Sequence, residues 1–559
     1  MQDEELEQDE KTVLRISTFD SILTYVGDFG KYQWYLLLSL FPYTGVYVSL
    51  YFSQFFLTLV PREHWCRVPE VVDLNCTSEE QRILLAIPKA DEYPYYDGCY
   101  QKDLNFSKLL REGHEFQSLV WSTNKTVPCS DWEFNYTQIP YRSIAAELGW
   151  VCNKAYLVST AQAIFFCGSI IGGFFFGWLA DHHGRILTLM VLNGIALIAT
   201  IATAFASDFW SFAICRFFAG LAFDNCINIP LIVVVEYMAV NKRTLVFNMT
   251  FGLFFALLST MLPWVAYFIA DWRNFTYVSS IPILLCLLTP WIIPESARWY
   301  ISKGRMEKVF EKLQKIATVN GRTFDPKIYG KFVKGLKESS HNAENATLLD
   351  LFRTPRLAKH AILLILFWFL TIATFDGHVY SLKLLPDSVF TSFSLACATE
   401  LPAGVLLTLL LDRWGRRFCG FITMALTGVF SLVTLLLHSS ALLLTMAILA
   451  RFCLNMAANI ALQYAAEVLP TPVRAQGVAL IHIFGIFGHA IAPYIVDTAL
   501  IWGGLPMLIM GILSSITGIL VTFLPETLGM DLPQTLQEGE DFGKDQSFWA
   551  LPCCTDNNL

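Results

Sequence analysis

Three carboxylates lie inside otherwise apolar stretches of this 559-residue chain: Asp224, Asp376 and Glu400. A charge held away from water is expensive, so an acid in an apolar helix is a candidate for holding a cation or a proton. No Lys or Arg reads as equally deep, because Arg216 and Arg451 open their segments and Lys383 lies near the end of one. Three acids without a deep cation point to a site suited to an ammonium group or to proton binding. The plainer alternative is that one or two of them are structural, hydrogen-bonded to Asn225, Asn228 or backbone. Aromatic residues share these segments: Tyr43, Tyr47 and Tyr51 at i+4 spacing, then Trp368, Phe375 and Tyr380, then Phe484 and Phe487. Aromatic faces attract ammonium groups by about 0.5–2 kcal/mol each, although such stripes also serve as packing. His482 and His489, seven apart on one helix face, are either donors to the carboxylate of a zwitterion or satisfied core residues.

No catalytic or cofactor constellation accompanies these groups. The sequence has no GxSxG, HExxH, P-loop or zinc-spaced CxxC, and Cys553-Cys554 is only a weak lipidation or metal signal. Neither enzyme activity nor a cofactor nor an ATP-driven pump is expected. The net charge of -8 offers no footprint for nucleic acid.

The elements that must position the acids follow from composition. Apolar residues make up 54% of the chain and charged ones only 15%. Soluble proteins carry roughly 25% charged residues, so most of this chain is not built to face water. Twelve apolar segments are expected to be membrane helices: 33–60, 154–179, 186–206, 209–237, 244–270, 275–293, 359–382, 389–411, 417–437, 441–463, 476–499 and 503–524. The fold class is therefore all-α and polytopic, and the lipid bilayer is its partner. Alternate short loops carry Arg185, Lys242, Arg243, Arg413, Arg416, Arg417 and Arg474, whereas the opposite set carries Arg273 and Lys383. The positive-inside rule makes the first set cytoplasmic, and both termini with it.

The expected domains are a cytoplasmic segment 1–32, the first helix 33–60, an extracellular loop 61–152, the rest of a six-helix half 153–297, a basic cytoplasmic loop 298–358, a second six-helix half 359–524 and a cytoplasmic tail 525–559. No cleavable signal peptide is read at the start. The extracellular loop holds four glycosylation sequons, at Asn75, Asn105, Asn124 and Asn135. It also holds Cys66, Cys76, Cys99 and Cys129, with Cys152 at its end, which reads as a disulfide-stapled cap of open connectivity. In the basic loop, Met306, Val309, Phe310, Leu313 and Ile316 have helical spacing, so amphipathic helices against the membrane face, or a solvated linker, are expected.

The chain repeats itself. Asp181, Gly184 and Arg185 follow the second segment, and Asp412, Gly415 and Arg416 follow the eighth at one constant offset. Glu236 and Glu467 stand at that same offset, and Arg216-Phe217 and Arg451-Phe452 at nearly the same one. The D-x-x-G-R loop in both halves and the duplication resemble the major facilitator superfamily. Four further features are closer to the organic ion transporter family, solute carrier family 22. They are the run Phe19 to Gly30, the cysteine-bearing loop, Pro294-Glu295-Ser296-Ala-Arg298-Trp299 and Pro525-Glu526-Thr527-Leu-Gly529. The resemblance covers residues 19–536.

It implies alternating access between two halves, with a latch that breaks and reforms. In that latch Asp181 meets a facing helix end or Arg243, Gly184 makes the turn and Arg185 pairs with an acid such as Glu236. Asp412, Gly415, Arg416, Glu467 and Arg474 are the second-half counterparts. Topology anchoring alone is the simpler reading. In the family's cation branch the eleventh segment carries an aspartate and in the anion and carnitine branches an arginine; counting places Ile486 there. The cation branch's fourth-segment lysine falls at Asp224, Trp368 and Glu400 match that branch, and Asn459 falls at a cavity-lining position.

The resemblance implies a plasma-membrane transporter of small organic cations or zwitterions, the substrate site being Asp224, Asp376, Glu400, Trp368, Phe375, Tyr47, Asn459 and Phe487. Asp224 is the principal counter-charge expected. Potential-driven uniport is the expected energetics, with proton coupling through an acid, or sodium coupling, as the alternative; a non-transporting receptor or scaffold is the rival of another class.

Overall fold

The computed structural model describes residues 19–27, 29–69, 83, 86–89, 96–104, 106, 125–137, 139–339, 347–544 and 546. All twelve apolar segments fall on helix. Among the described residues, nine helical stretches are long and apolar enough to cross a membrane. One of them, Val389–Leu436, holds the eighth and ninth segments, divided at Gly415, whose φ of +78° interrupts the helix. The sixth segment is three short helices, Trp272–Ser279, Ile281–Cys286 and Thr289–Ile292, the second and third with Pro282 and Pro290 in their first turns. The twelfth, Leu505–Val521, is shorter than those nine stretches.

Glycine seams set the two helix pairs that carry the acids and histidines. The fourth segment, Phe209–Gly220 continued by Asn225–Glu236, crosses the second, Tyr156–His183. A Cβ on Gly220 would collide with the Phe165 carbonyl oxygen, and one on Gly172 with that of Leu221. Backbones approach this closely only where one helix lacks a side chain at the contact. In the second half the eleventh segment, Thr471–Asp497, presses against the seventh, Pro355–Ser381, where a Cβ on Gly488 would lie 2.7 Å from the Phe369 carbonyl oxygen.

The loop after the first segment (Lys31–Leu57) forms two small antiparallel sheets. His64–Cys66 pairs with Trp132–Phe134, and Tyr100–Lys102 with Thr126–Pro128. Disulfides join Cys66 to Cys129 and Cys99 to Cys152. Cys152 therefore takes the place expected for Cys76, which lies outside the described residues, as do Asn75, Asn105 and Asn124. Asn135 is described, its Nδ2 donating to Glu63 at 2.6 Å. The loop is pinned to the start of the sixth segment: Glu147 accepts from Arg273 at 2.6 and 2.8 Å and from Trp272 at 2.9 Å. The hydrogen bond from Arg273 holds the Glu147 carboxyl below its usual range. A depressed carboxylate contributes its stabilisation above its unfolded value and loses it as pH falls through the folded one, so this pin persists at neutral pH.

The basic loop is helical, and its apolar face turns to the protein rather than to lipid. In Met306–Val319 the expected stripe is buried at Val309, Leu313 and Ile316, in one core with Phe19, Ile22, Leu23 and Val26 of the helix Phe19–Val26. Asn320 locks it there, donating to the carbonyls of Val26 and Gly27 at 3.2 and 3.1 Å and accepting from Tyr32 N at 3.0 Å. At the other end of the chain Glu540 accepts from Arg356 N and Leu357 N, satisfying orphan donors in the first turn of the seventh segment.

Gly220→Ala is expected to lower the thermal midpoint in detergent by about 1–3 °C, because overpacking a tight seam typically costs about 1–3 kcal/mol and the unfolding entropy of a chain this long leaves roughly 1 °C per kcal/mol. Ala for a helical Gly otherwise stabilises slightly. Gly173→Ala, where an added Cβ meets nothing within 4 Å, is the control and should match or exceed the parent. Fluorescence-detected melting compares the three.

Candidate functional site

The fourth segment reaches its midpoint at Leu221–Asp224, where turns replace the regular helix and Asp224 immediately precedes the second half, Asn225–Glu236, without its side chain capping it. Asn228 donates to Asp224 Oδ1 at 3.0 Å, one turn on. The other partner of that oxygen comes from the opposite half of the protein: His482 Nε2 lies 2.8 Å away. Seven residues along the same face of the eleventh segment, His489 Nδ1 lies 2.6 Å from Asp376 Oδ2. Tyr51, from the first segment, donates to the other oxygen of Asp376 and lies 3.5 Å from His489 Nδ1. The histidines expected to receive a substrate carboxylate thus hold the protein's own carboxylates.

Aromatic rings wall this arrangement. Trp368 stacks on His482 at 6.1 Å, and Phe166 stacks on His489 at 5.0 Å. Tyr47 stacks on Phe223 at 4.9 Å and lies within electrostatic range of Asp224, Asp376 and Glu400 together. Asn459 lies beside Glu400, its Nδ2 also donating to Asn455 O at 2.8 Å. Glu400 Oε2 is buried without a hydrogen-bond partner among the described residues. Of the eight substrate residues expected, seven are placed in or against the cluster and Phe487 is not: it is 44% exposed and pairs with Phe484. Phe166, Phe223 and the Tyr51 hydroxyl bond to Asp376 join the cluster unannounced by sequence.

Two cations lie deeper than expected. Arg216 is seven residues inside the start of its helix at Phe209, and Arg451 eleven inside the start at Ser440. Both are almost completely buried. Each covers a phenylalanine ring, Phe165 at 4.8 Å and Phe375 at 3.4 Å, and each donates to a carbonyl of another helix, Leu50 at 3.2 Å and Phe375 at 2.9 Å. Their charges are spread over ring faces and backbone dipoles, not cancelled by the three acids. Arg451 also lies within electrostatic reach of Glu400.

The hydrogen bonds between halves run from Asp224–His482 toward the end that bears the disulfide loop. Beyond Tyr51–Asp376 come Gln54–Tyr380 at 3.4 Å, Arg62 to the Leu385 carbonyl at 2.9 Å and Ser394 to the Thr260 carbonyl at 2.8 Å. Phe52, Phe55 and Phe56 pack there on Phe390 and Phe393 at centroid distances of 5.1–5.9 Å. Side-chain exposure rises in the other direction, from 2% at Asp376 and 11% at His489 to 14% at Asp224 and 33% at His482. The cleft is closed at the loop end and opens toward the basic loops.

At the basic end each half closes on a glutamate whose role the sequence pattern leaves unassigned. Glu295 accepts from Arg185 N at 2.8 Å and Ile186 N at 3.2 Å; Glu526 accepts from Arg416 N at 2.8 Å and Arg417 N at 3.0 Å. These are the first amides of the third and ninth segments, orphan donors at the positive end of a helix. Gly184, with φ of +107°, and Gly415 make the approach possible: a Cβ on Gly184 would meet Glu295 Oε2 at 2.6 Å, and one on Gly415 would collide with Glu526 Oε2. The expected pairings hold in one half only. Arg416 pairs with Glu467 at 3.0 Å, but Arg185 pairs with Asp181 at 3.0 Å while Glu236 accepts from Ser296. Arg243 pairs not with Asp181 but with Asp20, at 2.5 Å, which Arg298 shares at 2.8 Å. Arg474 donates to the carbonyls of Leu469 and Pro533, and Asp412 is exposed. Glu295 and Glu526 are separated by the same offset as Asp181 and Asp412, so the repeat already marked them.

Residues 121–537 match the family described as sugar (and other) transporter. The chain is 32% identical to the carcinine transporter of Drosophila melanogaster, over 96% of this chain and 80% of that one. It is 32% identical to solute carrier family 22 member 3 of Rattus norvegicus, over 95% and 97%. Its fold is that of the inward open xylose transporter XylE from E. coli, at a TM-score of 0.59 and 15% identity, covering 91% and 98% of the chains. The chain therefore belongs to the sugar (and other) transporter family of the major facilitator superfamily and, within it, to solute carrier family 22: it is a membrane transporter and not an enzyme.

Proposed function

We propose that the protein moves small organic cations or zwitterions across the plasma membrane by alternating access, with both termini in the cytoplasm. The observation that carries this reading is the convergence of Asp224, Asp376 and Glu400 around Tyr47 in the cleft between the halves. An ammonium group entering that cleft meets three carboxylates and the faces of Tyr47 and Trp368, which is the chemistry that holds an organic cation. The name of the carcinine transporter, a relative over nearly the whole chain, supports an amine-bearing substrate. A zwitterion is favoured by Arg451, whose Nε is without a partner among the described residues and whose charge lies near Glu400. Glu295 and Glu526, with Asp181, Glu236, Glu467 and the arginines around them, act as the latch that holds each half together while the halves rock.

Asp224 is the principal counter-charge in this reading, with Asp376 and Glu400 next. Asp224→Asn keeps the shape and removes the charge, so uptake of a labelled amine panel should fall at least tenfold at unchanged surface expression. Normal uptake by Asp224→Asn together with loss in Asp376→Asn or Glu400→Gln would move the site. No saturable uptake of any amine, amino acid or betaine by the surface-expressed parent would sink the substrate class altogether.

The latch has its own test. Glu526→Gln offers one acceptor oxygen where two amides now share a carboxylate, so the maximal uptake rate should drop about tenfold with the half-saturating concentration unchanged. An unchanged rate would make the motif a topology anchor only.

A further inference from the structure

The eleventh segment carries two histidines one above the other, about 10 Å apart at 1.5 Å rise per residue, and each is bonded to a carboxylate on another helix. The Asp224–His482 pair joins the two halves. The Asp376–His489 pair lies within one half and is tied to the other through Tyr51. Imidazole is the side chain that takes up and releases a proton near neutral pH. Asp224 Oδ1 already receives both His482 and Asn228. With the ring protonated, the charge of Asp224 is cancelled at 2.8 Å and the imidazolium repels a second cation. With the ring neutral, the carboxylate is again a full counter-charge. Proton and ammonium therefore compete for one carboxylate.

The other ionisable groups facing the cluster are few. They are Tyr47 and Tyr51 from the first segment, Cys226 from the fourth, Asp376 and Tyr380 from the seventh, Glu400 from the eighth and Arg451 from the tenth, Ser440–Val468. Arg216, from the fourth, is turned to Phe165 and the Leu50 carbonyl. The second segment, which touches His489 through Phe166, has no charged residue from Tyr156 to Ala180, and the twelfth, Leu505–Val521, has none. His489 also acts on Asp224 through space, but His482 is the imidazole bonded to it. His482, the more exposed of the two histidines, also lies on the side where the cleft opens.

We propose that His482 carries a proton that exchanges for the substrate cation at Asp224, one proton leaving the cell for each cation entering it. This rests on the cation reading above. After the cation leaves toward the basic end, His482 takes a proton from that side and closes on Asp224. The proton-loaded site reopens at the other end, the proton departs to solvent and the neutral imidazole leaves Asp224 charged for the next ammonium. Exchange of one proton for a monovalent cation moves no net charge, so the pH gradient drives it in place of the membrane potential expected from sequence.

The full chain in liposomes, with the potential clamped at zero by potassium and valinomycin, tests this with labelled tetraethylammonium, whose charge does not titrate. An interior about one pH unit more acidic than the outside should concentrate the probe about tenfold, and an internal pH dye should report alkalinisation as the probe enters. His482→Gln keeps a hydrogen bond to Asp224 but carries no proton; it should still exchange labelled for unlabelled probe while losing accumulation driven by pH. Probe uptake by the parent that ignores the pH gradient, or pH-driven accumulation that survives in His482→Gln, overturns the exchange and leaves the cation reading intact. The dye signal from the parent decides even where the variant does not fold. Absence of saturable probe uptake by the parent overturns the exchange, and the amine panel above decides the cation reading separately.

Discussion

A carboxylate in an apolar bundle persists only where something donates to it, and the donor it recruits decides which helices must stay together. Here each of two acids recruits a histidine from the eleventh segment. Asp224 reaches across the two halves to His482, and Asp376 is held by His489 with Tyr51 reaching in from the other half. The cost of leaving such a group unmade exceeds what the bond returns when made, so these pairs fix the registry of the fourth, seventh and eleventh segments. The glycine seams serve the same end: Gly220 and Gly172 bring the fourth segment onto the second, and Gly488 the eleventh onto the seventh. The site is where those constraints intersect.

The same economy governs the helix ends. Each half presents bare amides at the start of a helix and closes them with a glutamate from far along the chain, Glu295 in one and Glu526 in the other. Everything else in the motif follows from that contact. The glycine has to lack a Cβ for the carboxylate to come so near. The residue after each glutamate, Ser296 or Thr527, donates to the acid at the foot of the fourth or tenth segment, Glu236 or Glu467. The duplication is therefore a duplication of contacts, although the arginines have diverged: Arg416 reaches Glu467, whereas Arg185 stays with Asp181 beside its own loop.

What could be read from sequence was what depends on local pattern. Segment length and apolarity marked where helix forms, and the constant offset marked the contacts that recur at the basic end. Partner choice across helices is a tertiary matter and was not legible. Nothing along the chain ties His482 to Asp224, and the same imidazole in another registry would have met substrate instead. The depth of Arg216 and Arg451 was legible in the segment bounds, seven and ten residues in, but what makes their burial tolerable was not: ring faces and the carbonyls of other helices. Phe487 was misplaced by phase: five residues beyond His482 it lies about 140° around a helix of 3.6 residues per turn, off the histidine face. The stripe of the basic loop was right in period and wrong in partner, since a buried amphipathic face does not say whether lipid or protein covers it.

The packed rings of Phe52, Phe55, Phe56, Phe390 and Phe393 have a consequence beyond closing the cleft. Protons travel through proteins by hopping along hydroxyls, imidazoles and chains of water, and a phenyl ring supplies none of these. A layer of such rings between Asp376 and the loop end acts as an electrical insulator. With the cleft open toward the basic loops, that layer denies protons a continuous relay from the acids to the loop end.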